Sequence, residues 1–204
     1  DGEVSITFVP AVHSSQVTKD PKQPGIDGGA PGGFVVAIKG GPTLYHTGDT
    51  DVFGDMALAD LEEAEWDRIL GTNLKAAYLL IHAALPALAR APRGRILNVS
   101  SIHGTVGDAN VVAHCAAKFG LVGLTKALAR ELRGAGIAVN AVCPGSTENK
   151  GREEAPRPHE APLREKLNAE DVAGAALFLV SPAAASISGA VLDVWGGTYV
   201  AIHG

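Results

Sequence analysis

Hydrophobic and polar positions follow one pattern up to about residue 58 and a different pattern after it. Residues 4–9 alternate with a period of two, residues 34–38 form a short apolar run, and Gly40-Gly41 separates that run from residues 43–45. Alternation and short apolar runs bounded by turn residues are typical of β-strands. A glycine pair between two such runs favours a hairpin. The pattern therefore predicts a small β-rich segment over residues 1–58.

From residue 59 to the end, long periodic segments alternate with short apolar ones. Asn168 can cap a helix that begins just after it, because an asparagine side chain accepts bonds from the first free backbone amides of a helix. Strands that alternate with helices indicate βαβ crossovers and a parallel sheet. The chain is thus predicted to have an α/β fold, with helices over residues 62–90, 111–133 and 169 onward, and strands over residues 95–99, 137–142 and 191–194.

Composition narrows the classes of function. Hydrophobic residues make up 46% and charged residues 19% of the chain, which supports a buried core. The net charge of −5, without a basic stripe, predicts that the protein binds no nucleic acid. We find no apolar run long enough for a bilayer and no signal-peptide pattern at the start, so we expect no membrane association. Cys115 and Cys143 lie in apolar segments, which favours a reduced, cytoplasmic protein.

Candidate chemistry lies where predicted strands end. Ser101 follows the strand over residues 95–99, and Pro144 and Gly145 follow the strand over residues 137–142. His114 and Lys118 are four residues apart on a predicted helix, so their side chains share one face. Open parallel sheets bind ligands at the carboxyl ends of their strands. We therefore expect these side chains to meet in one site.

Residues 61–204 resemble the short-chain dehydrogenase/reductase family. The family's serine is followed thirteen positions later by a tyrosine and then, four further on, by a lysine; here those positions hold Ser101, His114 and Lys118. The matching phrases are Trp66-Asp67-Arg68, Thr72-Asn73-Leu74, Gly94-Arg95-Ile96-Leu97-Asn98-Val99-Ser100-Ser101, His114-Cys115-Ala116-Ala117-Lys118, residues 136–145, Ser186-Ile187-Ser188-Gly189 and residues 191–197.

This resemblance implies a partial Rossmann-like sheet and NAD(P)-dependent hydride transfer at a small alcohol or carbonyl substrate. It implies catalytic roles for Asn73, Ser101, His114 and Lys118. Lys118, together with Pro144, Gly145 and Thr147, would bind NAD or NADP. The family's two long helices, here over residues 62–90 and 111–133, would hold a homo-oligomer together. The charged, proline-bearing stretch over residues 146–167 predicts a mobile loop that shapes substrate choice.

Two departures from the family predict an impaired enzyme. His114 replaces the catalytic tyrosine, and an imidazole is shorter than a phenol and has an unperturbed pKa of about 6.5. The family's initial strand, glycine-rich turn and helix, which hold the cofactor pyrophosphate, have no counterpart. Gly28–Gly33 is glycine-rich, but a strand follows it. Three parallel strands with a bare edge are then expected, so that the N-terminal segment or another chain must cover the edge if the protein is stable.

Residues 4–57 resemble part of a metallo-β-lactamase-fold hydrolase. The matching phrases are residues 10–15, 32–36 and 45–56. The resemblance implies that His13 and Asp49 are metal ligands. The family's His-x-His-x-Asp-His cluster is missing from the sequence, so a bound divalent metal such as Zn²⁺ is not expected. The sequence is interpreted as pieces of two enzymes joined near residues 56–61.

Three hypotheses about function remain open at this point. The first is an impaired short-chain oxidoreductase. The second is a metal-dependent hydrolase that completes the site of His13 and Asp49 with ligands from a partner chain. The third is a non-catalytic scaffold that forms oligomers through its long helices.

Overall fold

The computed structural model describes residues 58–147 and 167–196 in full and, within residues 4–46, the backbone of five strands. The strands are β1 (Val4–Pro10), β2 (Gln16–Val17), β3 (Ile26–Asp27), β4 (Gly32–Ile38), β5 (Thr43–His46), β6 (Gly94–Val99), β7 (Ala138–Pro144) and β8 (Val191–Val194). The helices are α1 (Glu63–Leu70), α2 (Ala76–Arg90), α3 (Val112–Glu131) and α4 (Ala169–Val180).

Six of these strands form one mixed sheet in the order β1-β4-β5-β6-β7-β8. Strands β5 to β8 pair in parallel, whereas β4 pairs antiparallel with both β5 and β1. The hairpin predicted around Gly40-Gly41 is confirmed by the β4–β5 pairing. Strands β2 and β3 form a separate two-stranded sheet. The α/β fold class predicted from the sequence is confirmed.

The prediction of three parallel strands is wrong, because the structure has four, β5 to β8. Strand β5 pairs in parallel with β6, with Thr43 opposite Gly94 and His46 opposite Leu97. The helices α1 and α2 connect the end of β5 to the start of β6, and a crossover connection of this kind returns the chain in the same direction. The edge of β6 is therefore covered by the N-terminal segment, which was one of the expected outcomes.

The core lies between the sheet and the helices α2 and α3. Ile81 and Leu88 from α2 pack with Ile96 of β6 and with Ile137 and Val139 around the start of β7. Helix α4 packs on β6, β7 and β8, and every residue of 138–143 is buried. A strand buried along its whole length is covered on both faces, as is usual in parallel sheets.

Helix boundaries agree with the pattern except at one place. Asn168 caps α4 in a reciprocal arrangement, in which Asn168 Oδ1 accepts from the Asp171 amide and the Asp171 carboxylate accepts from the Asn168 amide. The single helix expected over residues 62–90 is instead divided by a π-helical turn, Gly71–Lys75, between α1 and α2. The loop predicted over residues 146–167 lies mostly outside the described residues.

Helix α3 and the turn after it bear on the question of a membrane. Within the described part of the chain, residues 112–135 form one helix that is long and apolar enough to cross a bilayer, contrary to our reading of the sequence. Eight residues of α3 are buried in the protein, among them Lys118 and Thr125. This apolar character is typical of a core helix. The absence of membrane association stays a prediction.

Candidate active site

Two serines follow β6, and the structure gives them different surroundings. Ser100 is buried, and its hydroxyl donates to the Lys118 carbonyl oxygen at 3.1 Å. Ser101 is partly exposed, and its Oγ accepts a hydrogen bond from the His103 amide at 3.2 Å. A hydroxyl that accepts one bond keeps its own O–H for donation. Ser101 is therefore the serine that can donate to a ligand at this edge.

His114 and Lys118 lie on α3 beside the end of β6. His114 is only 4% exposed, and Lys118 is equally buried. The Lys118 ammonium Nζ lies 3.4 Å from the carbonyl oxygen of Val99, the last residue of β6. The structure thus brings Lys118 and Ser101 to the same strand end, with His114 one helical turn before Lys118. Their roles stay predictions.

Asn73 lies in the π-helical turn. Its side-chain Nδ2 donates to the Ile69 carbonyl oxygen at 3.1 Å, and the residue is buried. The turn packs against α3, where Ala113 and Ala117 contact Ile69. A π-helical turn is rare and occurs frequently at functional sites. The distorted turn therefore holds Asn73 against the helix that carries His114 and Lys118.

The three residues predicted to lie beside the nicotinamide follow or end β7. Pro144 is the last residue of that strand, and the Gly145 amide donates to the Val194 carbonyl oxygen at 2.8 Å. A Cβ on Gly145 would lie 2.6 Å from the Cβ of Trp195, so only glycine fits there. The Thr147 hydroxyl donates to the Gly145 carbonyl oxygen at 3.2 Å. Because β6 and β7 are parallel, these residues share the sheet edge that holds Ser101.

Cys143 lies beneath this edge and is fully buried. Burial raises the pKa of its thiol to about 11, and the Asp193 carboxylate adds to the rise. A hydrogen bond with Ser100 and the charge of Lys118 oppose it. A thiol with so high a pKa stays protonated at neutral pH and is a poor nucleophile. Cys143 is therefore a packing residue of the site.

Asp193 on β8 yields a prediction about stability. Burial raises its pKa above the ordinary value, and a hydrogen bond with the Thr105 side chain only partly opposes this. A raised carboxyl pKa means that folding disfavours the charged form, so the stability contribution of Asp193 is fullest below about pH 4 and is lost as pH rises through the folded-state pKa. Because Asp193 is largely exposed, solvent screening keeps this effect small, and Asp193→Asn should raise Tm at pH 7 by less than about 1 °C.

The same substitution should leave Tm unchanged at about pH 3, where the aspartate is already neutral. Calorimetry of both proteins at the two pH values measures this difference. Asp67→Asn on the exposed face of α1 serves as the control. A Tm that falls at pH 7, or an equal rise at both values, would contradict the prediction.

A histidine pair that the sequence pattern did not predict lies at this site. His103 lies in the 3-10 turn Ile102–Gly104 that follows Ser101, and its ring meets the His114 ring edge-on with centroids 5.5 Å apart. Its Nε2 lies 3.5 Å from the Asp108 carboxylate. Asp108 is itself fixed by a bond of 2.7 Å from the Ala109 amide. Only the position of His103, two residues after Ser101, could have indicated this arrangement.

The candidate metal ligands His13 and Asp49 lie outside the described residues. Within residues 58–147 and 167–196, no group of three His, Cys, Asp or Glu side chains could hold a metal ion. The metal-site hypothesis gains no support from that part of the chain.

Known proteins resemble this chain over most of its length. A family model described as enoyl-(acyl carrier protein) reductase matches residues 48–199. The 3-oxoacyl-(acyl-carrier-protein) reductase of Pseudomonas aeruginosa is 36% identical over 166 residues, covering 78% of this chain and 67% of that protein. An inactive 2-(S)-hydroxypropyl-CoM dehydrogenase 2 of Xanthobacter autotrophicus is also 36% identical, over 77% of this chain and 74% of its own length.

A solved structure agrees with these relatives. An oxidoreductase of the short-chain dehydrogenase/reductase family from Burkholderia thailandensis superposes with a TM-score of 0.69 at 33% identity, over 78% of this chain and 64% of the other. The chain thus spans about two thirds of the length of the proteins it matches. The family match begins at residue 48, ten residues before the boundary near residue 58 that the sequence pattern predicts. The chain belongs to the short-chain dehydrogenase/reductase family.

Proposed function

We propose that this chain is an NAD(P)-dependent oxidoreductase that acts on a small alcohol or carbonyl compound, at a rate limited by the histidine at position 114. The observation that carries the proposal is the meeting of Ser101, His114 and Lys118 at the carboxyl ends of β6 and β7. The burial of Asn73 in a distorted turn against the same helix supports it. Family membership supports a nicotinamide cofactor and a small-molecule substrate.

The donor groups at this edge suit one half of that cofactor. Lys118 carries an ammonium group, Thr147 a hydroxyl, and Gly145 closely approaches Trp195. Ammonium, hydroxyl and backbone groups suit the ribose hydroxyls and the carboxamide of a nicotinamide riboside. Residues 58–147 and 167–196 contain no strand, glycine-rich turn and helix in succession, the unit that usually holds a pyrophosphate. The described residues therefore fit the nicotinamide half.

The residues of the chain orient the substrate and supply a proton. A reduced nicotinamide, when bound, supplies the hydride that adds to the carbonyl carbon. The Ser101 hydroxyl donates to the carbonyl oxygen, since Oγ accepts from the His103 amide and keeps its own O–H for donation. As the hydride adds, negative charge develops on that oxygen, which must take a proton from a nearby acid. Lys118 adds a positive charge to the site.

The imidazole at position 114 explains why we propose a slow enzyme. His114 is buried against His103, and its ring is shorter than the tyrosine side chain found at that position in the family. A general acid must come within hydrogen-bond reach of the atom that it protonates. A residue that stops short of the substrate oxygen protonates it poorly.

Two further proposals concern assembly and organisation. Tyr78 and Leu79 on α2 and Phe119 on α3 are about half exposed. Large exposed apolar side chains favour a protein contact, which supports a homo-oligomer built through the two long helices. We also propose that a β-rich segment (residues 1–58) is joined to a family segment (residues 59–204). The resemblance to a metallo-β-lactamase would account for the first segment. The protein is proposed to be cytoplasmic.

Nucleotide titration tests the proposed function. Trp195 packs on Gly145, so a nicotinamide bound at this edge should quench its emission. NADH and NADPH should each bind with a Kd of roughly 1 mM, or about −4 kcal/mol, because residues 58–147 and 167–196 supply no pyrophosphate-binding unit. The Trp195→Phe variant, which keeps only Trp66, should lose most of the signal and serves as the control.

Two outcomes of the titration would contradict these proposals. If neither nucleotide gives a saturable change up to about ten times that concentration, the proposed function is wrong. Stoichiometric binding at a low micromolar Kd would instead mean that the chain does bind the pyrophosphate. The proposal that its described residues fit only the nicotinamide half of the cofactor would then fail.

A further inference from the structure

His103 has the surroundings of an acid–base group. Its side chain is 22% exposed, and that of its neighbour Asp108 is 43% exposed. Its backbone amide donates to Ser101 Oγ, which fixes the residue beside the hydroxyl that would orient a substrate. Its ring lies between Asp108, on the solvent side, and the buried ring of His114. No other histidine of the described residues is placed next to Ser101 in this way.

His103 is better placed than His114 to exchange protons. A proton carrier must be reprotonated from solvent after each turnover, and a residue 4% exposed has poor access to water. His103 reaches water directly and has a carboxylate within 3.5 Å of Nε2. A carboxylate beside an imidazole orients the ring, as in hydrolytic triads. The opposite nitrogen, Nδ1, then faces away from Asp108.

We propose that His103, oriented by Asp108, is the acid–base residue of this chain and replaces the tyrosine that position 114 lacks. The inference rests on the proposed function. His114 is then a packing partner that holds the His103 ring by its edge contact. The site would have kept its serine and lysine and moved the proton donor from α3 to the turn after β6.

The proposed step balances as a carbonyl reduction. Hydride from reduced nicotinamide forms the new C–H bond, and the π electrons of the C=O bond move to oxygen. That oxygen takes the proton of the His103 imidazolium, which becomes neutral and regains a proton from solvent. The nicotinamide is oxidised and the carbonyl is reduced to an alcohol. Asp108 keeps its charge throughout.

Other charged groups at this edge also act on His103. Asp108 faces it from the loop before α3, and Lys118 lies on α3 one turn beyond His114. Asp193 on β8 reaches the same turn through Thr105, and the Cys143 thiol is protonated beneath it. Since Asp108 is the carboxylate in contact with the ring, it is the group whose removal should affect His103 most.

A pH–rate profile tests the assignment. Reduction of ethyl acetoacetate by NADPH takes up a proton at the substrate oxygen, so its rate should fall as pH rises if His103 supplies that proton. His103→Gln should lower kcat by about 100-fold at pH 6.5, with KM nearly unchanged, and should flatten the profile. Asp108→Asn should lower kcat by roughly tenfold. NADPH binding, followed by Trp195 emission, should stay the same in both variants.

His82→Gln is the matched control, because His82 is an exposed histidine on α2. Its kcat and pH profile should equal those of the parent chain. Combining His103→Gln with His114→Tyr separates a catalytic role from a structural one. With a phenol at position 114, loss of His103 should change kcat by less than about threefold. An equal loss in both backgrounds would mean that His103 only supports the fold, and the inference would be overturned.

The remaining outcomes separate this inference from the proposed function. If the parent chain reduces the ketone and His103→Gln keeps its rate and pH profile, the inference fails and the proposed function stands. If the parent chain is inactive but His114→Tyr is active, the inference fails, and of the proposed function only the nucleotide and substrate site stands. If neither chain turns over and neither binds NADPH, the proposed function itself fails.

Discussion

His114→Tyr should raise the rate of NADPH-dependent carbonyl reduction by about 10- to 100-fold. The substitution returns a phenol to the position four residues before Lys118, on the same face of α3. A lysine ammonium beside a phenol lowers its pKa and prepares it for proton transfer. The longer side chain also brings the proton nearer to the oxygen that Ser101 orients. A well-placed general acid contributes roughly 10²–10⁴-fold, so even imperfect placement should be measurable.

His114→Phe is the matched control for this experiment. It supplies a ring of similar size without the hydroxyl, so it should produce no gain. Thermal melts of the three proteins check for disturbed packing, because position 114 is buried and a larger side chain there can strain its neighbours. Equal Tm values would show that a change in rate comes from the chemistry of the side chain. If the parent chain turns over rapidly and His114→Tyr abolishes this activity, the imidazole at position 114 is itself the proton donor and the prediction is wrong.

Local patterns were enough to predict much of the fold. The strands β6, β7 and β8 and the helix α3 follow from short apolar runs and from a period near 3.6, which depend on residues close in sequence. The cap at Asn168 follows from side-chain chemistry within one helical turn, and the structure shows both of its hydrogen bonds. Such features depend on residues close in sequence and can be predicted from a single sequence.

Pairing between distant segments could not be predicted. Strand β5 was recognised as a strand, but its neighbour in the sheet lies some fifty residues later at β6. The sequence of a four-residue strand does not determine which strand it will pair with, because backbone hydrogen bonds along a strand edge depend little on the side chains. The sequence left open whether the N-terminal segment, another chain or nothing covers the edge of β6, and the structure shows that β5 of the N-terminal segment covers it.

The candidate site divides in the same way. Ser101 and Lys118 were predicted from motif spacing, whereas the π-helical turn at Asn73 was not predicted because its residues fit an ordinary helical pattern. The histidine pair was missed for another reason. His103 and His114 are separated by a turn and a loop, and only the packing of that turn on α3 brings their rings together. Spacing alone cannot reveal a contact of this kind.

Leu88→Ala should destabilise the protein by about 2–5 kcal/mol. Leu88 on α2 is 2% exposed and packs with Ile96, Ile137 and Val139 between α2 and the sheet. Its carbonyl oxygen would lie 2.9 Å from a Cβ on Gly94, which shows how closely the helix end approaches β6. Because neighbours packed this tightly relax little, truncation should leave a cavity and lose the transfer free energy of the removed atoms.

Urea denaturation measures this loss, and Leu177→Ala provides the comparison. Leu177 on α4 is 68% exposed, so the same chemical change should alter the free energy of unfolding by less than about 0.5 kcal/mol. A lower midpoint with an unchanged m value would identify a loss of stability without a change in the surface exposed on unfolding. Equal losses in the two variants would mean that α2 does not pack on the sheet as described. In that event the π-helical turn that holds Asn73 would lose its anchor, because α2 continues directly from it.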